Sequence, residues 1–392
     1  MKIHISQCLT FVGLGLIVVF LLSGCGLLLR KEGAFPPQSA QKHESPTALR
    51  QEPVTASSSS VDTSAKFDAL SAYSSTALKA RKFDELTSKM DEARRIRERI
   101  PGGFWKLFVF YQGIQTPNFD QNASEPEWQR HLARLQEWKQ VMPNSITARV
   151  ALAQSLIAYG FEARGQDTID KVSDESIQVF QERVAQGLSE LNSAKDLTPK
   201  CPQWYTAMLR VGLAQGWNRE KYENVFEEGF QLEPTYYHLQ REKITYLQPQ
   251  WMGRRGDIAQ FVNSMASRIG GDEGSIMYFE LASTLQPDYR SSIWLETGLE
   301  WGKAKVGYEA MKRIYGVDRY RKNLFMAFTL SGNDWEGFDA ALSEVGDDWD
   351  SDVWGTRERF DQMKNMMRQG LQMRKNDQQG KPPFQVQEAP AR

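Results

Sequence analysis

Asp348, Asp350 and Asp352 have the spacing in this chain that comes nearest to metal chemistry. Carboxylates at alternate positions open a calcium loop. Val353, however, stands where the sixth-position glycine is needed, and Arg359 where the twelfth-position bidentate glutamate is needed. The run Asp347-Asp348-Trp349-Asp350-Ser351-Asp352 equally suits a solvated turn in which Ser351 or Asp352 caps the next helix. The four histidines are His4, His43, His131 and His238. His131, beside Arg130 on an amphipathic stretch, reads as a surface residue. His238, after Tyr236-Tyr237, reads as a packed one. There is no HExxH, no paired CxxC and no Gly-x-Ser-x-Gly, so zinc and Ser-His chemistry lack their residue sets. Gly298 to Lys303 echoes a phosphate-binding loop, with one residue too few between the glycines and Ala304 in place of the magnesium-binding Ser or Thr. It is also expected inside a helix. Glu227-Glu228 reads as a solvated outer face. No catalytic residue and no cofactor is assigned.

Recognition has better material than catalysis. Trp204, Tyr205, Trp217, Tyr236, Tyr237 and Trp251 fall within a short span, with Arg210, Arg219 and Lys243 among them. Aromatics at helical spacing mostly enter a core. If Trp204, Tyr205, Arg210, Trp217, Tyr236, Tyr237, Lys243 and Trp251 line a concave surface, they suit a peptide, a glycan or an acidic segment.

These residues need a scaffold, and the stretch 202–234 supplies the most legible piece. Trp204, Met208 and Val211 mark one helix; Tyr222, Val225, Phe226, Gly229 and Phe230 mark the next. Asn218 is the expected N-cap of the second, and Pro234 ends it. Such a hairpin leaves apolar faces uncovered and asks for neighbours of its own kind. The chain offers them: a pair over 63–98, a dense apolar run at 104–114 that flanking helices favour as helix, and helices over 125–141 and from 146. A polar loop is expected at 165–175, then helices over 179–196, 236–246, 257–269, 274–285, 291–315, 323–330, 334–345 and 352–374. The run 270–274 reads as a flexible turn. No stretch alternates with period two, so the expected fold is all-α, an irregular α-solenoid of helical hairpins.

Composition agrees with a globular body. Of 392 residues, 41% are hydrophobic and 25% charged, with a formal net charge of −1. Such a balance argues against a dedicated nucleic-acid binder. The cysteines are Cys8, Cys25 and Cys201.

The N-terminus reads as an address. A short segment with Lys2 precedes an apolar run from Cys8 to Leu22, closed by Leu22-Ser23-Gly24-Cys25. This resembles the lipobox of bacterial lipoproteins. The resemblance implies cleavage before Cys25, a lipidated Cys25 at the mature N-terminus, and a stable membrane anchor. Gly26 rather than Asp follows, which in that class favours the outer membrane, facing the periplasm. Loss of Lys2 with the leader takes the formal charge to −2 and leaves Cys201 without an intramolecular disulfide partner. Residues 1–24 are thus a signal peptide, 25–62 a lipidated N-terminus and disordered linker, 63–374 the helical domain, and 375–392 a disordered tail. The linker would reach roughly 30 Å as a flexible coil.

Two resemblances bear on the body. Leu209, Phe226, Gly229 and Pro234 occupy large, large, small and proline positions of the tetratricopeptide pattern of about 34 residues. Thr206, Arg210, Leu213 and Tyr222 depart from it. The stretch 143–251, with CPQWY, GWNRE and PQWMG, also looks like an uncharacterised bacterial family of unknown function. That resemblance implies a fold and no activity. The expected function is a membrane-anchored, non-enzymatic adaptor for a protein or peptide partner. The alternative is an envelope enzyme or ligand-binding protein acting on cell-wall material or a small ligand. A Cys25→Ala chain is expected to take up no radiolabelled palmitate while wild type is labelled; equal label in both would end the lipoprotein reading.

Overall fold

Short polar side chains set most of the helix starts. In the computed structural model, which describes residues 63–118, 123–165 and 171–378, the first helices are α1 (Thr63–Lys79), α2 (Phe83–Ile96), α3 (Lys106–Gln115), α4 (Glu125–Val141), α5 (Ile146–Arg164) and α6 (Asp174–Ala194). Then come α7 (Pro202–Ala214), α8 (Arg219–Leu232), α9 (Tyr237–Tyr246), α10 (Asp257–Ile269) and α11 (Gly271–Tyr289). A tight turn, Arg290–Ser292, leads to α12 (Ile293–Thr297), α13 (Trp301–Ile314), α14 (Arg319–Ser331), α15 (Trp335–Val345), α16 (Ser351–Trp354) and α17 (Arg357–Gln378). Ser145, Ser173, Asn218, Asp318 and Asp334 each accept a backbone N–H three residues on, filling donors that the first turn leaves open. No strand forms among the described residues; one isolated bridge pairs Arg99 with Trp105. The fold is an all-α solenoid of helical hairpins. No helix among the described residues is long and apolar enough to cross a membrane. The leader, Cys25 and the linker lie outside the described residues.

The helices sort into two rows by burial. Inner helices α3, α5, α7, α9 and α11 touch in succession, and α4, α6, α8 and α10 pack outside them. Outer helices bury one stripe: α10 only Ile258, Phe261, Val262 and Met265; α8 Tyr222, Phe226, Gly229 and Phe230. Inner helices bury nearly every side, as α5 does from Ile146 to Ile157. Some contacts exclude even a methyl group. A Cβ on Gly113 of α3 would overlap the Ser71 carbonyl of α1, and one on Gly187 of α6 would stand 2.7 Å from Ile157 Cγ1 of α5.

A helix buried all round must satisfy its own polar side chains internally. The inner row does so in series. Gln112 Nε2 donates to Gln115 Oε1 at 3.1 Å, and Gln154 Nε2 to the same oxygen at 2.8 Å. Gln203 Nε2 then donates to Gln154 Oε1 at 3.0 Å, and the Tyr236 hydroxyl to Gln203 Oε1 at 2.5 Å. This glutamine ladder joins α3, α5 and α7 to Tyr236 at the start of α9.

The loop between α2 and α3 crosses to distant parts of the chain. Arg97 pairs with Glu233 at 2.6 Å, and Trp105 Nε1 donates to the Thr235 carbonyl at 2.9 Å. Gly102, left-handed at φ 84°, donates its N–H to the Gly316 carbonyl at 3.1 Å. Phe104 lies 4.2 Å below the Arg321 guanidinium. One end of the array is thereby fastened to the α8–α9 and α13–α14 turns.

Several boundaries differ from the expected ones, for local reasons. α6 begins at Asp174, not 179, because Ser173 caps it. The run 270–274 is no loose turn: α11 starts at Gly271, and Gly274 is pressed on the Ala266 backbone. The helix expected over 291–315 is two helices, since Gly298 at φ 72° ends α12 and Glu300 is extended before α13. The phosphate-loop echo therefore lies between helices, not within one. Gly355 at φ 78° likewise splits the last expected helix, which runs on to Gln378.

Gln203→Leu strands the Tyr236 hydroxyl and Gln154 Oε1 inside the inner row. It is expected to lower the unfolding free energy in urea by about 2 kcal/mol or more, since each buried orphan costs about 1–3 kcal/mol. A loss under about 0.5 kcal/mol would show that the ladder carries no stability.

Candidate functional site

The expected aromatic groove does not form as a groove. Trp204, Trp217, Tyr236, Tyr237 and Lys243 are buried. Trp204 Nε1 donates to the Leu191 carbonyl at 2.8 Å, joining α7 to α6. The Lys221 ammonium covers the Trp217 ring at 3.5 Å. Lys243 pairs with Glu223 and sits 4.4 Å above the Phe226 ring. Tyr205 and Arg210 are half-buried, and Arg210 holds Glu242 in a two-pronged bond at 2.6 and 3.3 Å. Trp251 is half-buried, its indole N–H buried without a partner among the described residues. The physical reason is economy of apolar surface: large rings at the junction of successive hairpins are worth most inside it. Only Tyr236 and Tyr237 meet a different part of the chain. Tyr236 takes Trp105 edge-on at 5.1 Å, and Tyr237 lies under the Arg99 guanidinium at 4.8 Å and bonds Glu273.

The acidic turn caps a helix. Asp350, not Ser351 or Asp352, is the N-cap of α16, accepting the Asp352 N–H at 3.0 Å. Its other oxygen meets Arg319 Nε at 3.2 Å. Burial, reinforced by Asp352, pushes the Asp350 carboxyl up. Asp348 is exposed and Asp352 half-buried, so the three carboxylates face different surroundings. Among the described residues no group of three or more His, Cys, Asp or Glu is arranged to hold a metal ion. Cys201 is buried at the start of α7, its sulfur 3.6 Å from the Tyr111 hydroxyl.

His131 is buried rather than on the surface. Its Nε2 lies 3.0 Å from the Ile114 carbonyl, beyond the last turn of α3, so the neutral ring donates there. Arg130 misled the reading: adjacent helix positions point 100° apart, and His131 shares its face with Leu135 and Trp128. His238 is packed as expected, stacked on Phe108 with ring centres 3.3 Å apart.

A cleft not foreseen in the sequence opens between α4 and α6, with α5 as its floor. It encloses about 440 Å³. Gln129 and Gln136 reach it from α4, Glu182, Arg183 and Gln186 from α6, and Leu156 and Tyr159 from below. The Arg183 guanidinium lies 3.1 Å from the centre of the Tyr159 ring, and its Nη1 donates to the Tyr159 carbonyl at 3.0 Å. Nη2 approaches Glu125 Oε2 at 3.4 Å. The Tyr159 hydroxyl is buried at the cleft, turned towards Glu125 but beyond hydrogen-bonding distance, with no partner among the described residues. Burial, then Glu125, pushes its pKa up to about 12, so it is a donor at neutral pH. The cleft therefore presents amide donors and acceptors, one cation on an aromatic face and an unused hydroxyl. A signal existed: Gln129 and Gln136 are seven residues apart, one polar stripe beside the apolar one. Compared with family models, curated proteins and solved structures, the chain matches none.

The buried histidines set a pH dependence. Burial, with Arg134 and Lys79 adding to it, lowers His131 from 6.5 to about 4. Burial likewise holds His238 well below its ordinary value. The unfolded chain therefore binds protons that the folded chain refuses as pH falls below about 6.5. Stability is complete above that pH and falls towards pH 4, by up to about 1.4 kcal/mol per pH unit for each histidine. His131→Gln, which keeps a donor near the Ile114 carbonyl, is expected to flatten part of the slope in urea unfolding between pH 7 and 5. An unchanged slope would show that His131 does not titrate on unfolding.

Proposed function

We propose that this chain is a non-enzymatic adaptor of the bacterial envelope, anchored through lipid on Cys25 and seating an extended peptide segment of a protein partner in the α4–α6 cleft. The observation that carries the reading is the composition of that cleft. Gln129, Gln136 and Gln186 are exposed along its rims and pair with both the N–H and C=O of an extended backbone. Arg183, already flattened on Tyr159, is preorganised to meet a carbonyl or carboxylate, and the idle Tyr159 hydroxyl supplies one more donor.

The lipobox-like leader and the linker over 25–62 supply the address, favouring the periplasmic side of an outer membrane. The repeat-like body supplies a surface of the kind helical solenoids use for partners. The distribution of carboxyls also favours binding over chemistry. Glu162, Glu233, Asp288 and Asp350 are all raised by burial, but they sit on separate elements. Glu162 accepts the Trp128 indole N–H at 2.8 Å and Glu233 is held by Arg97. General acid–base work needs two such groups converging on one substrate.

A photo-crosslinking residue placed at Gln136 or Gln186 in living cells is expected to give one defined adduct, absent when it is placed at the exposed Asn224 of α8. Arg183→Ala is expected to weaken the captured partner about tenfold, the loss typical of a central arginine contact. Absence of an adduct from both cleft positions, or adducts indifferent to Arg183→Ala, would overturn the reading.

A further inference from the structure

A second site lies on the far side of the inner row, where α9, α11 and α14 meet. Arg241, on α9 one turn beyond His238, is enclosed by protein yet keeps part of its surface accessible to solvent. It makes no hydrogen bond or ion pair with another described residue. Every carboxylate in its field already serves another arginine. Glu280 of α11 accepts Arg321 Nε at 3.0 Å and Nη2 at 2.7 Å, and Asp318 takes Arg321 Nη1 at 2.9 Å. Glu242 is bound by Arg210 through both oxygens. Arg321 and the nearby Arg99 add like charge to the neighbourhood, which also holds the uncharged His238.

An enclosed guanidinium without an anion bonded to it is costly, because neither water nor a carboxylate repays its lost hydration. Burial draws the Arg241 pKa below the ordinary arginine value, Arg321 draws it further, and Glu280 only partly opposes them. Tyr320 of α14 lies within the field of Arg241, also enclosed yet partly accessible, and its hydroxyl bonds to no described residue. Arg321 and Arg241 hold its proton less firmly than burial alone would, but burial dominates and Tyr320 stays a donor. A planar guanidinium fork and a phenolic O–H on adjoining helices are donors without an acceptor between them.

We infer that Arg241 and Tyr320 form a receptor for a small oxyanion, a carboxylate or a phosphate, seated where α9, α11 and α14 meet. The fork geometry of Arg241 matches two oxygens of such an anion, and Tyr320 supplies the third bond. Chloride, a point charge, cannot take all three. The site is separate from the α4–α6 cleft and stands or falls without it.

The test is thermal unfolding of the full chain, purified in detergent, with sodium phosphate, sodium acetate or sodium chloride at matched ionic strength. Phosphate or acetate is expected to raise the midpoint by about 2 °C or more over chloride, because an anion bound only by the folded state stabilises it. A response to phosphate alone identifies a phosphate site, and a response to acetate alone a carboxylate site. Arg241→Gln is expected to abolish the response and to match or exceed wild type in chloride, since it removes an enclosed charge. Tyr320→Phe, which keeps the ring, is expected to weaken the response severalfold and carries the test should Arg241→Gln fail to fold. No response to either oxyanion in wild type, or an undiminished response in the variants, would overturn the inference.

Discussion

The loop from Arg97 to Trp105 is the fastening on which the arrangement of this solenoid depends. Repeats in such arrays ordinarily touch only their neighbours. Here a short segment reaches the α8–α9 turn through Arg97, Arg99 and Trp105, and the α13–α14 turn through Gly102 and Phe104. Arg99 binds by surface as much as by charge: its guanidinium lies 5.2, 4.8 and 5.1 Å from the ring centres of Trp105, Tyr237 and Tyr315. Stacking suits this position because a desolvated arginine keeps favourable contacts across its faces as well as its edges. Two left-handed glycines, Gly102 and Gly103, let the backbone lie against its partners. A methyl on Gly102 would come 2.9 Å from Arg321 Nη1.

Fastening explains the chemistry of the inner row. Helices enclosed by outer neighbours and closed by a loop have little water with which to satisfy polar groups. Each polar side chain on them must find protein, and the glutamine ladder is the outcome: both ends of an amide are used in turn, so each rung fixes the height of the next helix. His131 and Ser155 solve the same problem by sharing the Ile114 carbonyl that the end of α3 leaves open. Arg241 and the Tyr159 hydroxyl are the departures from this rule, and both keep company with space: Arg241 retains solvent access and Tyr159 borders the cleft. Unmet polar groups in an otherwise satisfied interior point outward to ligands more readily than inward to error.

Legibility followed the period of the apolar pattern. Outer helices could be placed closely because one face is wet; α4 and α10 fall where their stripes put them. Inner helices erase their own signal by being apolar on every side, which is why residues 104–114 were ambiguous between helix and strand. Glycines misled in both directions. Gly274 looked like slack and is a close-packed contact, whereas Gly298 and Gly355 looked tolerable within helices and end them. The aromatic cluster was visible, but sequence spacing does not say whether a ring faces a groove or a neighbouring helix, and burial chose the helix. The cleft was hidden for the opposite reason: it needs Gln136 and Arg183 to come together, and nothing local relates α4 to α6. The address segment and the tail lie outside the described residues.

The long reach of residues 97–105 also governs the order in which the chain becomes whole. Their partners extend to Gly316 and Arg321, so the second helix pair cannot complete its contacts until most of the polypeptide exists. Until then Trp105, Phe104 and the stacked faces around Arg99 lack their cover, and local hairpins form on an open framework. Closure is a non-local event late in folding, with the slow loop-search that such contacts impose. A chain that ended before α14 would hold most of its helices and still leave the underside of its first turns bare, the condition that invites association with another molecule in the same state.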